Sequence, residues 1–175
     1  MSQRKFIIDA DTGSDDAVAI LMALREPTID VLGITLVSGN VPRDQGIINT
    51  LSTIELCEET TKVYAGADKP LTRDYSEVQT LEEFSAHVQT RSPVSLSAQC
   101  VHGEDGMGDI GIQPKHTEYE EEEAIEFLIN SFNQQPGEIT LVTLGPLTNI
   151  ALAIQKDPSI IEKIEHCYVM GGTSD

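Results

Sequence analysis

Four aspartates stand close together near the start of the chain, where an apolar run meets a helix-like pattern. They are Asp9, Asp11, Asp15 and Asp16, in the stretch FIIDADTGSDDAVAILMAL. Crowded carboxylates raise one another's pKa and cost stability unless a cation neutralises them. Hard cations such as Ca²⁺ and Mg²⁺ prefer oxygen ligands, and a metal held this way can activate water while a spare carboxylate takes the proton. We therefore interpret the stretch as a metal site with an acid–base group.

Three binding templates can be tested against this stretch. An EF-hand loop counted from Asp9 needs Gly at its sixth position and Glu at its twelfth, where Ser14 and Ile20 stand. A P-loop needs a Gly-Lys-Ser/Thr triplet, which the sequence lacks. The segment DADTG resembles the strand end of haloacid-dehalogenase-type phosphatases, although Gly13 stands where that family has Thr or Val. A Mg²⁺-dependent phosphatase with Asp9 as nucleophile is therefore an alternative hypothesis.

A plain structural interpretation competes with any metal site. One or two aspartates at a helix start are common, because their carboxylates accept hydrogen bonds from free backbone N–H groups and suit the helix dipole. Here there are four, with Gly13 between them to allow a tight turn and an apolar strand before them. This combination favours the metal site.

The elements that must position these carboxylates alternate between strand and helix. Residues 5–10 predict a short buried strand, and DDAVAILMALREP predicts a helix that Pro27 ends. The apolar residues of this helix at helical spacing are Val18, Leu21, Met22 and Leu24. Further strands are predicted at DVLGITLVSGN, KVYAG, EITLVTLG and IEHCYVMGG, and further helices at RDQGIINTLSTIELCEE, EEEEAIEFLINSFNQQPG and PLTNIALAIQKDP. The pattern predicts an α/β fold with an open, mainly parallel sheet and helices on both faces, whose ligands bind beyond the carboxyl ends of the strands.

The middle of the chain breaks this rhythm. Residues 71–111 show poor periodicity, with scattered polar residues and the glycine-rich segment CVHGEDGMGDIG. A weak helix is predicted only around residues 80–89. Segments this long without strong elements are usually functional, so we interpret residues 71–111 as a loop or lid.

The composition limits the class of partner. The chain has 175 residues, 39% of them hydrophobic, which is typical of a globular domain. Its formal net charge of −18 repels nucleic acid, and no cluster of Lys and Arg offsets it, so small neutral ligands and divalent cations are the compatible partners. No apolar run is long enough to span a bilayer, and MSQRKF lacks the apolar region of a signal peptide. We therefore expect no membrane partner and a cytoplasmic protein.

Several segments together resemble one family, the inosine–uridine-preferring nucleoside hydrolases. DADTGSDDAVA is similar to the family's N-terminal signature, a DxDxGxDDxxA pattern. In the same order, ITLVSGN, VHGEDGMG, ITLVTLGPLTNIALAI and YVMGG resemble its second strand, its His-Gly loop, its central strand-turn-helix and its next strand. The resemblance covers essentially the whole chain and implies the nucleoside hydrolase fold, which has a Rossmann-like core.

The resemblance implies one Ca²⁺ ion at the bottom of the pocket. Asp11 and Asp16 match its carboxylate ligands, and the main-chain carbonyl of Leu144 matches a third ligand. Asp15 matches the general base for the attacking water, and Asp9 orients the loop through hydrogen bonds. The implied reaction is hydrolysis of the N-glycosidic bond of a ribonucleoside to ribose and free base, through an oxocarbenium-like transition state.

Three more residues match the substrate side of the family's pocket. Asn40 and Met170 match positions that line the ribose and the base. His102 is a candidate catalytic residue, because its loop closes over the nucleobase in some members. An ordinary loop histidine, a turn asparagine and a core methionine are the plain alternatives.

Members of that family are much longer than 175 residues, and their C-terminal part supplies a further aspartate ligand. We therefore expect residues 1–175 to form a single α/β domain that is the N-terminal part of a longer catalytic domain, truncated at Asp175. A non-catalytic calcium-binding fragment is the second alternative.

Members are usually dimers or tetramers, so a homo-oligomer is expected. The chain has no Trp, on which a purine-specific branch stacks the base, so the resemblance favours the inosine–uridine branch.

Overall fold

Five parallel strands form one sheet in the order β3-β2-β1-β4-β5. The computed structural model describes residues 3–69, 71 and 101–171. Within these residues the strands are β1 (Arg4–Ala10), β2 (Ile29–Leu36), β3 (Val63–Ala65), β4 (Ile139–Thr143) and β5 (Ile164–Val169). The helices are α1 (Ser14–Arg25), α2 (Arg43–Leu56), α3 (Ala124–Gln134) and α4 (Thr148–Lys156), and a 3₁₀ helix spans Pro158–Lys163.

Helices cover both faces of the sheet, as the sequence predicts. Side chains alternate along a strand, so Ile7 and Ile8 of β1 enter different cores. The core around Ile7 contains α3, α4 and the 3₁₀ helix, and within it the rings of Tyr64 and Phe127 stack at 3.7 Å between centroids. The core around Ile8 contains Ile20 of α1 together with residues of α2. The open, parallel α/β architecture is therefore confirmed.

Helix α1 buries a different face from the one that its apolar residues suggest. Its buried residues are Asp16, Ala17 and Ile20, while Val18, Leu21 and Met22 are exposed. Only Leu24 of the predicted apolar set packs against the core. The buried side of α1 therefore includes Asp16, and the other apolar residues of the predicted set lie on the exposed side.

The strand order reverses beside β1. The chain runs from β1 outward to β2 and β3, then returns to place β4 on the other side of β1. The backbone N–H of Leu144 donates to the carbonyl of Asp9 at 2.7 Å, which extends the β1–β4 pairing beyond β4. Such a reversal leaves a crevice beyond the carboxyl ends of the strands, the usual ligand site of an open α/β sheet.

The two edges of the sheet differ. A parallel bridge between Tyr64 and Glu120 covers β3, with the backbone N–H of Glu120 donating to the carbonyl of Val63 at 2.9 Å. Strand β5 forms the other edge, and its side chains from residue 165 to residue 169 are exposed.

The predicted lid, residues 71–111, is described at residue 71 and from residue 101 onward. The weak helix predicted around residues 80–89 lies outside the described residues. In the part of the chain that the structure describes, no helix has the length and apolar character needed to cross a membrane.

Candidate active site

Asp9 is the last carboxylate on β1 and is completely buried. One of its oxygens, Oδ1, accepts hydrogen bonds from Thr35 Oγ1 at 2.5 Å and from Asn149 Nδ2 at 2.7 Å. Oδ2 is buried without a hydrogen-bond partner among the described residues. Burial, supported by the nearby Asp11 charge, raises the pKa of Asp9 to about 7 against the lowering effect of its two hydrogen bonds. A carboxylate enclosed in this way suits an orienting role and does not suit a nucleophile.

Asp11 follows β1 directly and points into the crevice between two glycines. Its Oδ2 accepts a hydrogen bond from the backbone N–H of Asn40 at 2.5 Å, and its Oδ1 has no partner within the described ranges. A Cβ atom at Gly145 would lie 2.8 Å from Oδ1, and a Cβ atom at Gly39 would collide with the carboxylate. Both loops must therefore carry glycine here for the carboxylate to fit. Burial raises the pKa of Asp11, and the nearby charge of Asp15 adds to this effect.

Asp16 lies in the first turn of α1 with its side chain directed inward. Only 1% of the residue is exposed, and neither of its carboxylate oxygens has a partner in the residues that the structure describes. Burial, followed by the charge of neighbouring Asp11, raises the pKa of Asp16 to about 8. Two neighbouring buried carboxyls with three unpartnered oxygens would be strongly unfavourable unless a proton or a cation compensates them.

These oxygens fit a divalent cation as an incomplete set of ligands. Within residues 3–69, 71 and 101–171, no group of three or more His, Cys, Asp or Glu side chains is arranged to hold a metal ion. The side-chain donors are therefore two, Asp11 and Asp16. The main chain of Leu144 passes between Asp9, to which it donates a hydrogen bond, and Asp11, against which Gly145 packs. Calcium takes six to eight oxygens, so these residues would supply part of its shell.

The fourth aspartate of the cluster behaves differently. The side chain of Asp15 is 55% exposed, and its Oδ1 lies 3.8 Å from Nε2 of His102. The imidazole is only 13% exposed, and its Nδ1 lies 2.8 Å from the hydroxyl of Ser14. Asp15 and His102, which the sequence predicts separately as catalytic residues, thus lie close together at the mouth of the crevice, whereas Asp9, Asp11 and Asp16 lie in the interior.

A buried asparagine connects the loop that carries His102 to the turn between β1 and α1. Nδ2 of Asn49, on α2, donates to the carbonyl of Thr12 and to the carbonyl of Asp105, both at 2.9 Å. The loop is also closed on itself, because the carboxylate of Asp105 accepts hydrogen bonds from the backbone N–H groups of Met107 and Asp109 at 2.7 and 2.9 Å. His102 is therefore held on a structured loop whose position is fixed from two sides.

The two residues predicted to line the pocket lie at different distances from the carboxylates. The backbone of Asn40 contacts Asp11 directly, as described. Met170 follows β5 and is 50% exposed, with its backbone N–H donating to the carbonyl of Thr143 at 2.8 Å. Two strand spacings, roughly 10 Å, separate β5 from β1. Met170 therefore lies on the same edge of the sheet as the aspartates, away from their immediate contacts, and it is not a core residue.

Several supporting residues were missed by the sequence analysis. Asn149 is fully buried and joins three strand ends, because it bonds to Asp9, to the carbonyl of Leu36 at 3.1 Å and to the backbone N–H of Ala67 at 2.8 Å. Asn49 and Thr35 play similar parts. The available signal was the presence of polar residues inside apolar segments, such as Asn149 in PLTNIALAI, but spacing alone does not show which groups they meet.

Comparison with known proteins agrees with this geometry. The family model described as inosine-uridine preferring nucleoside hydrolase matches residues 6–175. The pyrimidine-specific ribonucleoside hydrolases RihB of Escherichia coli strain SE11 and of Escherichia fergusonii strain ATCC 35469 are each 37% identical over 172 residues, 98% of this chain. The chain spans about half, 49%, of the length of these relatives.

Solved structures show the same likeness. A purine-preferring ribonucleoside hydrolase from Gardnerella vaginalis superposes with a TM-score of 0.82 at 33% identity, covering 97% of this chain and 49% of that one. The plant nucleoside hydrolase PpNRh1 superposes with a TM-score of 0.79 at 34% identity, covering 97% and 48% of the two chains. The fold predicted from the sequence is therefore confirmed by comparison as well as by topology.

Proposed function

Because the chain belongs to the inosine-uridine preferring nucleoside hydrolase family, we propose that it forms the acidic floor of a site that hydrolyses the N-glycosidic bond of ribonucleosides. The observation that carries this proposal is the set of buried oxygens on Asp11 and Asp16, at the strand-order reversal, that have no hydrogen-bond partner among the described residues. A transition state with positive charge on the sugar gains more from nearby carboxylates than the neutral substrate does. Neutral nucleosides are also compatible with the net charge of −18.

The cation of this site is proposed to be Ca²⁺. Asp11, Asp16 and the carbonyl of Leu144 would hold it, while Asp9 fixes the main chain of Leu144 from the interior side. Hard carboxylate and carbonyl oxygens suit calcium better than softer metals. When bound, the cation would supply Lewis acidity for activating water and for anchoring the ribose hydroxyls.

Asp15 is proposed as the general base. Its carboxylate stands at the rim of the crevice and is 55% exposed, so a proton that it accepts can pass on to solvent. Asp11 is the competing candidate, because its Oδ1 is directed into the crevice and has no partner among the described residues. Replacing Asp15 by Asn decides between them. Loss of turnover with Ca²⁺ binding retained supports Asp15, and unchanged turnover assigns the proton to Asp11.

The remaining predicted residues are proposed to contact the substrate. His102 lies beside Asp15 at the mouth of the crevice, where a donor could bond to the departing base. Asn40 follows β2 beside Asp11 and is proposed to contact the ribose, and Met170 is proposed to contact the base from the β5 side. The similar proteins include both a pyrimidine-specific and a purine-preferring ribonucleoside hydrolase, so the preferred base has to be measured.

The cellular setting is a separate proposal. A salvage role, returning free bases and ribose to metabolism, follows from the proposed reaction. A reducing compartment such as the cytoplasm suits the free thiols of Cys57 and Cys167. A homo-oligomer is proposed from the resemblance to the family, and sedimentation would measure it.

The proposed function is tested by following ribose release from a panel of purine and pyrimidine ribonucleosides. Activity is expected with Ca²⁺, and its loss is expected with a chelator. Asp16→Asn should abolish Ca²⁺ binding measured by calorimetry, while Asp44→Asn, an exposed aspartate that pairs with Arg43, should leave it unchanged. Calcium binding without ribose release from any nucleoside would identify a non-catalytic calcium-binding chain, and phosphate release from phosphomonoesters with Mg²⁺ would support the phosphatase alternative.

A further inference from the structure

The imidazole of His102 covers the turn between β1 and α1. A Cβ atom at Gly13 would stand 3.4 Å from both Cγ and Nδ1 of the ring. The ring is largely buried, and Asn49 fixes its loop against the same turn through the carbonyls of Thr12 and Asp105. The position of the ring is therefore set by the backbone, and what remains to be set is its rotation and its tautomer.

Ser14 makes the contact that can set both. It is the first residue of α1, whose N-cap is Gly13, a residue with no side chain that could cap the helix. The hydroxyl of Ser14 lies 2.8 Å from Nδ1 of His102 instead. A hydroxyl can donate or accept, so the geometry alone allows either tautomer of the imidazole.

The other side of the ring removes this ambiguity. Nε2 lies 3.8 Å from Oδ1 of Asp15, which is an acceptor when ionised. A proton on Nε2 is attracted to this carboxylate, whereas a lone pair on Nε2 would be repelled by it. With the proton on Nε2, Nδ1 becomes an acceptor and the hydroxyl of Ser14 must donate to it.

We propose that Ser14 is a positioning residue, whose hydroxyl donates to Nδ1 of His102 and so keeps a hydrogen-bond donor on Nε2 facing Asp15 and the mouth of the crevice. The usefulness of that donor rests on the proposed function, because it would bond to the base that leaves the ribose. The tautomer itself is a property of the protein without nucleoside.

The test is the imidazole ¹H–¹⁵N spectrum of the full chain in the absence of nucleoside and with saturating Ca²⁺, recorded at pH about 9, well above the ordinary pKa of histidine. His102→Gln identifies the signal. The wild-type protein is expected to show the Nε2–H tautomer, and Ser14→Thr, which keeps the hydroxyl, should preserve it. Ser14→Ala should shift the signal towards a mixture of tautomers. Ser52→Ala, which removes a hydroxyl that donates to the carbonyl of Ile48 in α2, is the matched control and should change nothing.

Either of two results would overturn the inference: an Nδ1–H tautomer in the wild-type protein, or an unchanged His102 signal in Ser14→Ala. The wild-type measurement decides even if Ser14→Ala does not fold. In the ribose assay, Ser14→Ala is expected to lower kcat about tenfold with little change in KM, the size of one lost hydrogen bond, and to add nothing to His102→Ala. Absence of ribose release from the wild-type protein would refute the proposed function and leave the tautomer result standing.

Discussion

The three buried aspartates of this site differ in how many hydrogen-bond partners their carboxylate oxygens have. In Asp9, one carboxylate oxygen accepts two hydrogen bonds and the other has no partner among the described residues. In Asp11, one oxygen accepts a single hydrogen bond and the other has no such partner. In Asp16, neither oxygen has a partner among the described residues. Folding without a cation must therefore retain protons on these groups or accept buried charge. This difference separates Asp9, which supports the loop, from Asp11 and Asp16, which are proposed to bind the cation.

Stability without a cation should consequently depend on pH. The pKa values of Asp9 and Asp16 are raised from 3.8 to about 7 and about 8, so the folded state binds these protons more tightly than the unfolded state. Their contribution is fully present below pH about 4 and is lost as the pH rises through 7 and 8. In chelator, Tm is expected to fall between pH 5 and pH 8.5, and saturating Ca²⁺ at pH 8.5 should restore most of it.

Asp16→Asn should flatten that pH profile, because the variant has no carboxyl to ionise at this buried position. Asp68→Asn, at an exposed aspartate, serves as the control and should keep the wild-type profile. A Tm that stays constant from pH 5 to pH 8.5 in chelator would contradict the raised pKa values. Calorimetric scans at matched ionic strength measure all of these curves.

Asn149 offers a test of the buried polar support. Asn149→Ala leaves the Asp9 carboxylate, the Leu36 carbonyl and the Ala67 N–H without one partner each, so unfolding free energy should fall by roughly 2–4 kcal/mol. Asn133→Ala removes two exposed hydrogen bonds, one donated to Asp157 and one accepted from Lys163, and should cost less than about 0.5 kcal/mol. Urea titrations measure both, and equal losses would contradict the role of Asn149.

At the scale of elements, replacing a glycine by alanine should change stability in opposite directions in β2 and in α2. A Cβ atom at Gly33 in β2 would stand 2.7 Å from Cζ of Phe127 and 2.8 Å from Cε2 of Tyr64, so Gly33→Ala should destabilise by about 1–3 kcal/mol. A Cβ atom at Gly46 in α2 finds its nearest neighbour at 3.5 Å, and alanine favours a helix by about 0.5–1 kcal/mol. Gly46→Ala should therefore stabilise, and urea titration of both variants checks the two signs.

The elements themselves were largely predictable because their sequence signals are local. The apolar run before Asp9 predicts β1. The acidic start and Pro27 predict both ends of α1 to within two residues. The buried face of α1 was not predictable, since periodicity finds an apolar stripe but cannot know that Asp16 takes the inward position. The convergence of Asp11 with Gly39 and Gly145 depends on three separate loops, and no local pattern encodes it.

The molecule is strongly negative, and among the described residues no strand pairs with the outer side of β5. Strand β5 exposes its side chains, and edge strands can pair with another chain. A net charge of −18 opposes such contact at low salt, but the screening length falls to about 10 Å at 0.1 M salt. Sedimentation should therefore show self-association that increases with salt. Tyr168→Lys, on β5, should suppress it, and Tyr119→Lys, at an exposed position outside β5, should not.

The strand order also has a consequence for how the chain is made. The paired residues Asp9 and Thr143 are 134 positions apart. The edge of β1 that pairs with β4 therefore has no partner strand until β4 emerges from the ribosome. At roughly 5–20 residues per second, that interval lasts about 7–27 s. During this interval the nascent β1–β2 pair exposes the edge of β1 that later pairs with β4. A chaperone that binds exposed strand edges would act at this stage.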